Sequence, residues 1–103
     1  MTTVELLKAA KAKIADPEHW TKRWFARTAT DAKCMALSVR AVKWCAVGAC
    51  ETVGADYGRA WSLLRENAPG GSLPALNDAP ETTHADIMAL FDRAIEAAEQ
   101  EEG

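Results

Sequence analysis

The chain has 103 residues, 49% of them apolar, and a net charge of −3 at neutral pH, which suits one compact domain, 1–103, and leaves no room for a second. No apolar run approaches the roughly 18 residues that span a bilayer, and Met1-Thr2-Thr3-Val4-Glu5 has neither the basic start nor the apolar centre of a secretion signal. A cytoplasmic protein with no membrane partner is expected, and the odd number of cysteines, Cys34, Cys45 and Cys50, points to free thiols in a reducing compartment.

In chain order, Thr2-x-x-Glu5 reads as a capping box, in which the threonine oxygen and the glutamate each satisfy an orphan amide. Leu7, Ala10 and Ile14 then recur at helical spacing to about Ala15, where Asp16-Pro17 stops the helix. Between His19 and Leu37 neither period holds for long. Aromatic residues around a polar stretch suggest a loose β-hairpin with its turn near Thr30-Asp31, a helix being the alternative. Ser38 is placed to cap a helix over 39–53, with Val42, Trp44 and Val47 on its pattern and Gly54 at its end.

Asp56 is the expected cap of a helix over 57–67 carrying Tyr57, Ala60, Trp61 and Leu64 on one face. The segment 69–82, with three prolines, two glycines and Asn77-Asp78, reads as a surface loop with a single helical turn around 74–76. Thr83-x-x-Asp86 resembles an acidic capping box opening a long amphipathic helix over 84–98, and the tail 99–103 is expected to fray. The fold class is therefore mainly α, about four helices with a short irregular or β-hairpin insertion near 20–37.

Within the expected helix 39–53, Ala41, Cys45, Gly48, Ala49 and Thr52 fall on one face. Glycine inside a helix costs about 1 kcal/mol against alanine, so Gly48 implies another element passing too close for a methyl group. Trp44, Cys45, Gly48 and Ala49 are then structural, with Cys45 a small buried filler two turns inside the helix. The sharper alternative makes Cys45 a nucleophile, His84 its base and Asn77 or Asp78 the orienting group, a set resembling thiol hydrolases. A metal site is not expected: Cys45 and Cys50 stand about 140° apart on a helix, no Cys-x-x-Cys occurs, and there are only two histidines. No glycine-rich phosphate loop or other cofactor motif is present.

Trp20, Trp24, Phe25, Trp44 and Trp61 read first as core residues. With Arg23 and Arg27 among them, Trp20, Trp24, Phe25 and Trp61 are also the candidates for a binding surface. Residues 1–45 carry nine Lys/Arg against four Asp/Glu, net +5, while 46–103 carry three against eleven, net −8. Such a split is satisfied either within the fold, the favoured reading, or by an acidic partner.

Trp44-Cys45-Ala46-Val47-Gly48-Ala49, Leu76-Asn77-Asp78, Thr82-Thr83-His84-Ala85-Asp86 and Asp92-Arg93-Ala94-Ile95 resemble an uncharacterised family of small actinobacterial and phage-encoded proteins. The resemblance implies bacterial or phage origin and no known chemistry. It maps onto Trp44, Cys45, Gly48, Asn77, Asp78, His84 and Arg93, which fits either the thiol set or one structural knot in which Asn77-Asp78 bind exposed helix ends near Trp44. The function expected is a small binding module without catalysis, acting on another protein. A Cys/His hydrolase or transferase and a nucleic-acid-associated protein using the basic, Trp-rich first half are the alternatives, and a homodimer is compatible with all three.

Overall fold

The computed structural model describes residues 2–54 and 58–102; the expected cap Asp56 and face residue Tyr57 lie outside them. Five α-helices, α1 (Thr3–Lys13), α2 (Ala46–Val53), α3 (Gly58–Asn67), α4 (Leu73–Asp78) and α5 (His84–Glu102), and three two-residue strands, β1 (Ala26–Arg27), β2 (Lys33–Cys34) and β3 (Lys43–Trp44), make a mainly α domain with a small sheet. Both capping boxes form. Glu5 N–H donates to Thr2 Oγ1 (3.1 Å) and Thr2 N–H to Glu5 Oε1 (3.0 Å), and Thr83 with Asp86 repeats the exchange at the start of α5.

The core is built where the apolar faces meet. Leu6, Leu7, Ala10 and Ile14 of the first helical segment pack with Ala46, Ala49 and Cys50 of α2, Leu63 and Leu64 of α3, and Ile87, Leu90, Phe91 and Ala94 of α5. Helix α1 ends at Lys13 rather than near Ala15, and Asp16 instead caps a short 3₁₀ turn, Pro17–His19. Residues 73–78 form a full short helix, not the single turn expected. Over 99–102 the tail does not fray: α5 continues to Glu102, and the Glu101 carboxylate pairs with Arg59 of α3, while Gly103 lies outside the described residues.

The expected hairpin is present, with Ala26 opposite Cys34 and Arg27 opposite Lys33. Its turn closes through Asp31 N–H to Thr28 O (2.9 Å), with Asp31 itself at φ +66°. A third strand, at positions where the sequence predicts a helix, pairs with the other edge of β1, Ala26 opposite Trp44 and Arg27 opposite Lys43, giving the order β2-β1-β3.

The helix expected over 39–53 is therefore corrected to Ala46–Val53. Residues 35–42 form two tight turns, and Ser38 Oγ accepts from Arg40 N–H as a turn residue, not a helix cap. The competing partners are carbonyls of β1 and its entry: Val42 N–H binds Arg27 O (2.9 Å) and Cys45 N–H binds Phe25 O (3.1 Å). Amides that a helix would have used locally are thus satisfied by the sheet.

Candidate binding surface

Asn77, 2% exposed at the end of α4, is the centre of a closed network. Its Oδ1 accepts from Trp20 Nε1–H (2.9 Å) and from Ala46 N–H (3.3 Å), the first amide of α2; its Nδ2 donates to Thr21 O and Asp78 Oδ1, both at 3.2 Å. Both acceptor sites and both donors of this amide are occupied. Asp78 Oδ1 also takes Arg23 N–H at 2.7 Å, holding Arg23 at φ +70°. Asn77-Asp78 thus tie α4 to the start of α2 and to the segment after Trp20.

Cys45 is the N-cap of α2, not a residue two turns inside a longer helix. Gly48 N–H donates to its sulfur (3.3 Å), and the thiol is buried. Burial pushes the thiol pKa up, with Asp78 and Glu51 adding to that effect and the amides of Gly48 and Val47 opposing it. Since the thiolate is the nucleophile, burial outweighs the activation that a helix start would supply. His84, the first residue of α5, sets its Nε2 2.7 Å from Ile14 O. A carbonyl can only accept, so Nε2 carries the proton. Among the described residues no hydrogen bond joins His84 to Cys45, Asn77 or Asp78; the ring that touches His84, edge-on at 5.8 Å, is Trp20. The Cys45–His84–Asn77/Asp78 arrangement expected of a thiol hydrolase is not assembled.

Gly48 and Ala49 are buried against the sheet entry and core. A Cβ on Gly48 would lie 2.1 Å from Phe25 O, so the close neighbour inferred from the sequence is the backbone entering β1. Ala41, grouped with this face, lies in a turn outside the helix. Trp44 is in β3, half-buried, donating through Nε1 to Ala36 O (3.0 Å) with Lys13 Nζ over its ring. Trp61 is half-buried on α3 beneath Arg65.

Trp24 and Phe25 are not core residues. They are 40% and 39% exposed, edge-to-face at 5.9 Å, with Lys33 Nζ 5.0 Å above Trp24. Sequence reasoning missed the other exposed apolar side chains of the same insertion: Met35 (65% exposed), Leu37 (73%), Val39 (100%) and Val42 (39%). Val39 and Val42 fall within the helix expected over 39–53 and Met35 and Leu37 within the expected hairpin insertion; in the two turns at 35–42 all four are exposed. Arg27 is partly buried in the sheet, with an ion pair to Asp31, and holds the Asp31 and Lys22 carbonyls through its guanidinium. By contrast Arg23, Lys33, Arg40 and Lys43 form no ion pair with a described residue. Trp24 and Phe25, with Arg23, Cys45, Asn77 and Asp78, line a hollow of about 250 Å³.

Among the described residues, no three His, Cys, Asp or Glu side chains converge as metal ligands, and no helix is long and apolar enough to cross a membrane. Fold and surface together define a small helical protein whose sheet insertion carries its exposed apolar side chains. The chain belongs to a family of unknown function, DUF6197, whose sequence pattern matches residues 1–97. Comparison with curated proteins and with solved structures found no match.

Proposed function

We propose that the protein is a non-catalytic binding module that contacts an acidic partner protein through the insertion 20–44. Its resemblance to small actinobacterial and phage-encoded proteins supports the finer reading of an accessory or inhibitory factor of bacterial or phage origin, acting in the cytoplasm. One observation carries the proposal: every exposed large apolar side chain among the described residues, Trp24, Phe25, Met35, Leu37, Val39 and Val42, falls within this insertion. Exposed apolar side chains gathered in one short insertion and interspersed with charge have the composition of an interaction surface.

The rim selects the partner. Residues 20–44 hold Lys22, Arg23, Arg27, Lys33, Arg40 and Lys43 against Asp31 alone, six positive and one negative, net +5. A two-fold contact with a second copy would set this fringe against itself, whereas an acidic rim on another protein complements it. Nucleic acid is less well matched. Stacking needs a row of open rings, yet Trp20 and Trp44 spend their indole N–H groups inside the fold and the insertion's tip is aliphatic. The thiol-hydrolase alternative lacks support, because Cys45 is buried and protonated and His84 serves Ile14.

A photo-reactive benzophenone side chain at position 39, compared with one at position 96, an exposed site on α5, tests the reading in the native host. The expected result is a discrete protein adduct from position 39 alone. The identified partner, purified, then binds the wild-type chain and loses about tenfold or more in affinity for a Leu37→Asp/Val39→Asp variant. An adduct with nucleic acid or with a second copy, no adduct at position 39, or full affinity in the double variant each overturns it.

A further inference from the structure

We infer that the hollow lined by Trp24 and Phe25 is an anchor pocket for one aromatic side chain of the partner, flanked in its own chain by carboxylates; this rests on the binding-face reading above. At about 250 Å³ the hollow is smaller than the roughly 300–1,000 Å³ of cofactor and metabolite clefts, and it suits a single large side chain. Two of its walls are the rings of Trp24 and Phe25, set at 66° to one another, the geometry in which a third ring adds edge or face contacts. Cys45, a small and soft residue of the kind that packs well against aromatic rings, also lines it.

Much of the polar lining is committed elsewhere. All four hydrogen-bonding positions of Asn77 are taken within the fold, and Asp78 Oδ1 already accepts from Asn77 Nδ2 and Arg23 N–H. An occupant is therefore chosen by shape and apolar character, not by hydrogen bonds to the floor. Of the two charged residues that line the hollow, Asp78 is tied to Asn77 and to the Arg23 amide, whereas the Arg23 side chain forms no ion pair with a described residue. Arg23 also sits at φ +70°, a conformation that glycine adopts freely and that other residues hold only where the surroundings impose it. Here Asp78 imposes it through the 2.7 Å hydrogen bond. Lys33 over Trp24 adds a second positive charge at the rim. The pocket thus sets Trp24 and Phe25 beside two positive side chains, Arg23 and Lys33, against the one hydrogen-bonded carboxylate of Asp78, a positive excess that fits an aromatic residue between acidic ones.

The test titrates the isotope-labelled full chain with acetyl-Asp-Trp-Asp-amide, acetyl-Asp-Ala-Asp-amide and acetyl-Lys-Trp-Lys-amide. The first should shift the amides of Arg23, Phe25 and Gly48 and the side-chain amide of Asn77. Replacing its tryptophan by alanine should weaken binding about tenfold or more, and exchanging the flanking charges should weaken it about threefold. Trp24→Ala, a change at a half-open position, should abolish the shifts while the urea midpoint stays in place. Arg23→Gly should erase the preference for acidic flanks with no loss of stability, because glycine suits this backbone. Shifts confined to 35–42 and indifferent to Trp24→Ala overturn the pocket while leaving the binding face standing. Equal affinity for all three peptides, or no shift with any, also overturns the pocket, and the face is then judged by crosslinking at position 39.

Discussion

Gly48 is where a single missing side chain decides how two elements meet. With a Cβ only 2.1 Å from Phe25 O, and Phe25 O also accepting from Cys45 N–H, neither atom can move without opening the junction of β1 and α2. Gly48→Ala, ordinarily favourable in a helix, is expected to destabilise the protein by about 1–3 kcal/mol, measured by urea unfolding; unchanged or increased stability contradicts this contact. The small side chain at 48 was legible in the sequence, because a helix loses stability at glycine unless a close neighbour leaves no room for a methyl group. The role of Cys45 was not. Whether a cysteine caps a helix or fills its interior depends on where the helix begins, and that depends on residues far away in the chain. His84 shows the same limit: its place in the first turn of α5 follows from the capping box, but its partner, the Ile14 carbonyl, lies 70 residues earlier.

At the scale of elements, short-range hydrogen bonding explains which boundaries could be read. The starts of α1 and α5 lie in capping boxes whose partners are three residues apart, so four letters suffice to specify them. The start of α2 is set instead by Arg27 O and Phe25 O, which accept the amides of Val42 and Cys45 across the sheet. The hairpin turn is legible through Asp31, a residue type that tolerates the left-handed backbone it adopts here at φ +66°. Asp31→Val places a β-branched side chain in that conformation and should cost about 1–2 kcal/mol, whereas Asp31→Gly should cost less. Amide exchange at Thr28, whose N–H donates to Ala32 O across the turn, reports the local effect. Equal stability of the two variants would show that the turn is not held in this geometry.

For the whole molecule, the uneven charge is only partly met inside the fold. Lys11 and Asp92 pair across the two halves at 2.5 Å, but Arg27–Asp31, Arg59–Glu66 and Arg59–Glu101 stay within their own halves. In the basic insertion Arg23, Lys33, Arg40 and Lys43 form no ion pair with a described residue, and the proposed reading assigns that charge to a partner. The shared core also sets a pH response. Burial pushes the Cys50 thiol up to about 12, against 9.0 for an open thiol, and raises Cys45 in the same direction. From pH 9 to about 12 the unfolded chain has released the Cys50 proton and the folded one retains it, so the unfolded state binds fewer protons. Stability falls across that window, by roughly 1.4 kcal/mol per pH unit for each such thiol, and is unaffected by Cys50 below it. Cys50→Ala should lower stability at neutral pH through lost packing yet flatten this alkaline decline; an equally steep decline in the variant excludes the thiol as its source.

The order of amino acids alone was enough for the helical class, the capping boxes at two helix starts, the hairpin turn and the need for a very small residue at position 48. In each case the deciding groups are within a few residues of one another or are properties of one side chain. Long-range contacts had to decide that α2 begins at Ala46, that Lys43-Trp44 is a strand, that Asn77 joins α4 to α2, and that Trp24, Phe25, Met35, Leu37 and Val39 face water. The physical reason is a competition for amides. Over 39–45 a helix and a sheet edge each offer acceptors, and the β1 carbonyls, together with the close approach that Gly48 permits, favour the sheet. Outward placement of the apolar residues at 35–39 follows from that choice, and with it the surface on which the proposed function rests.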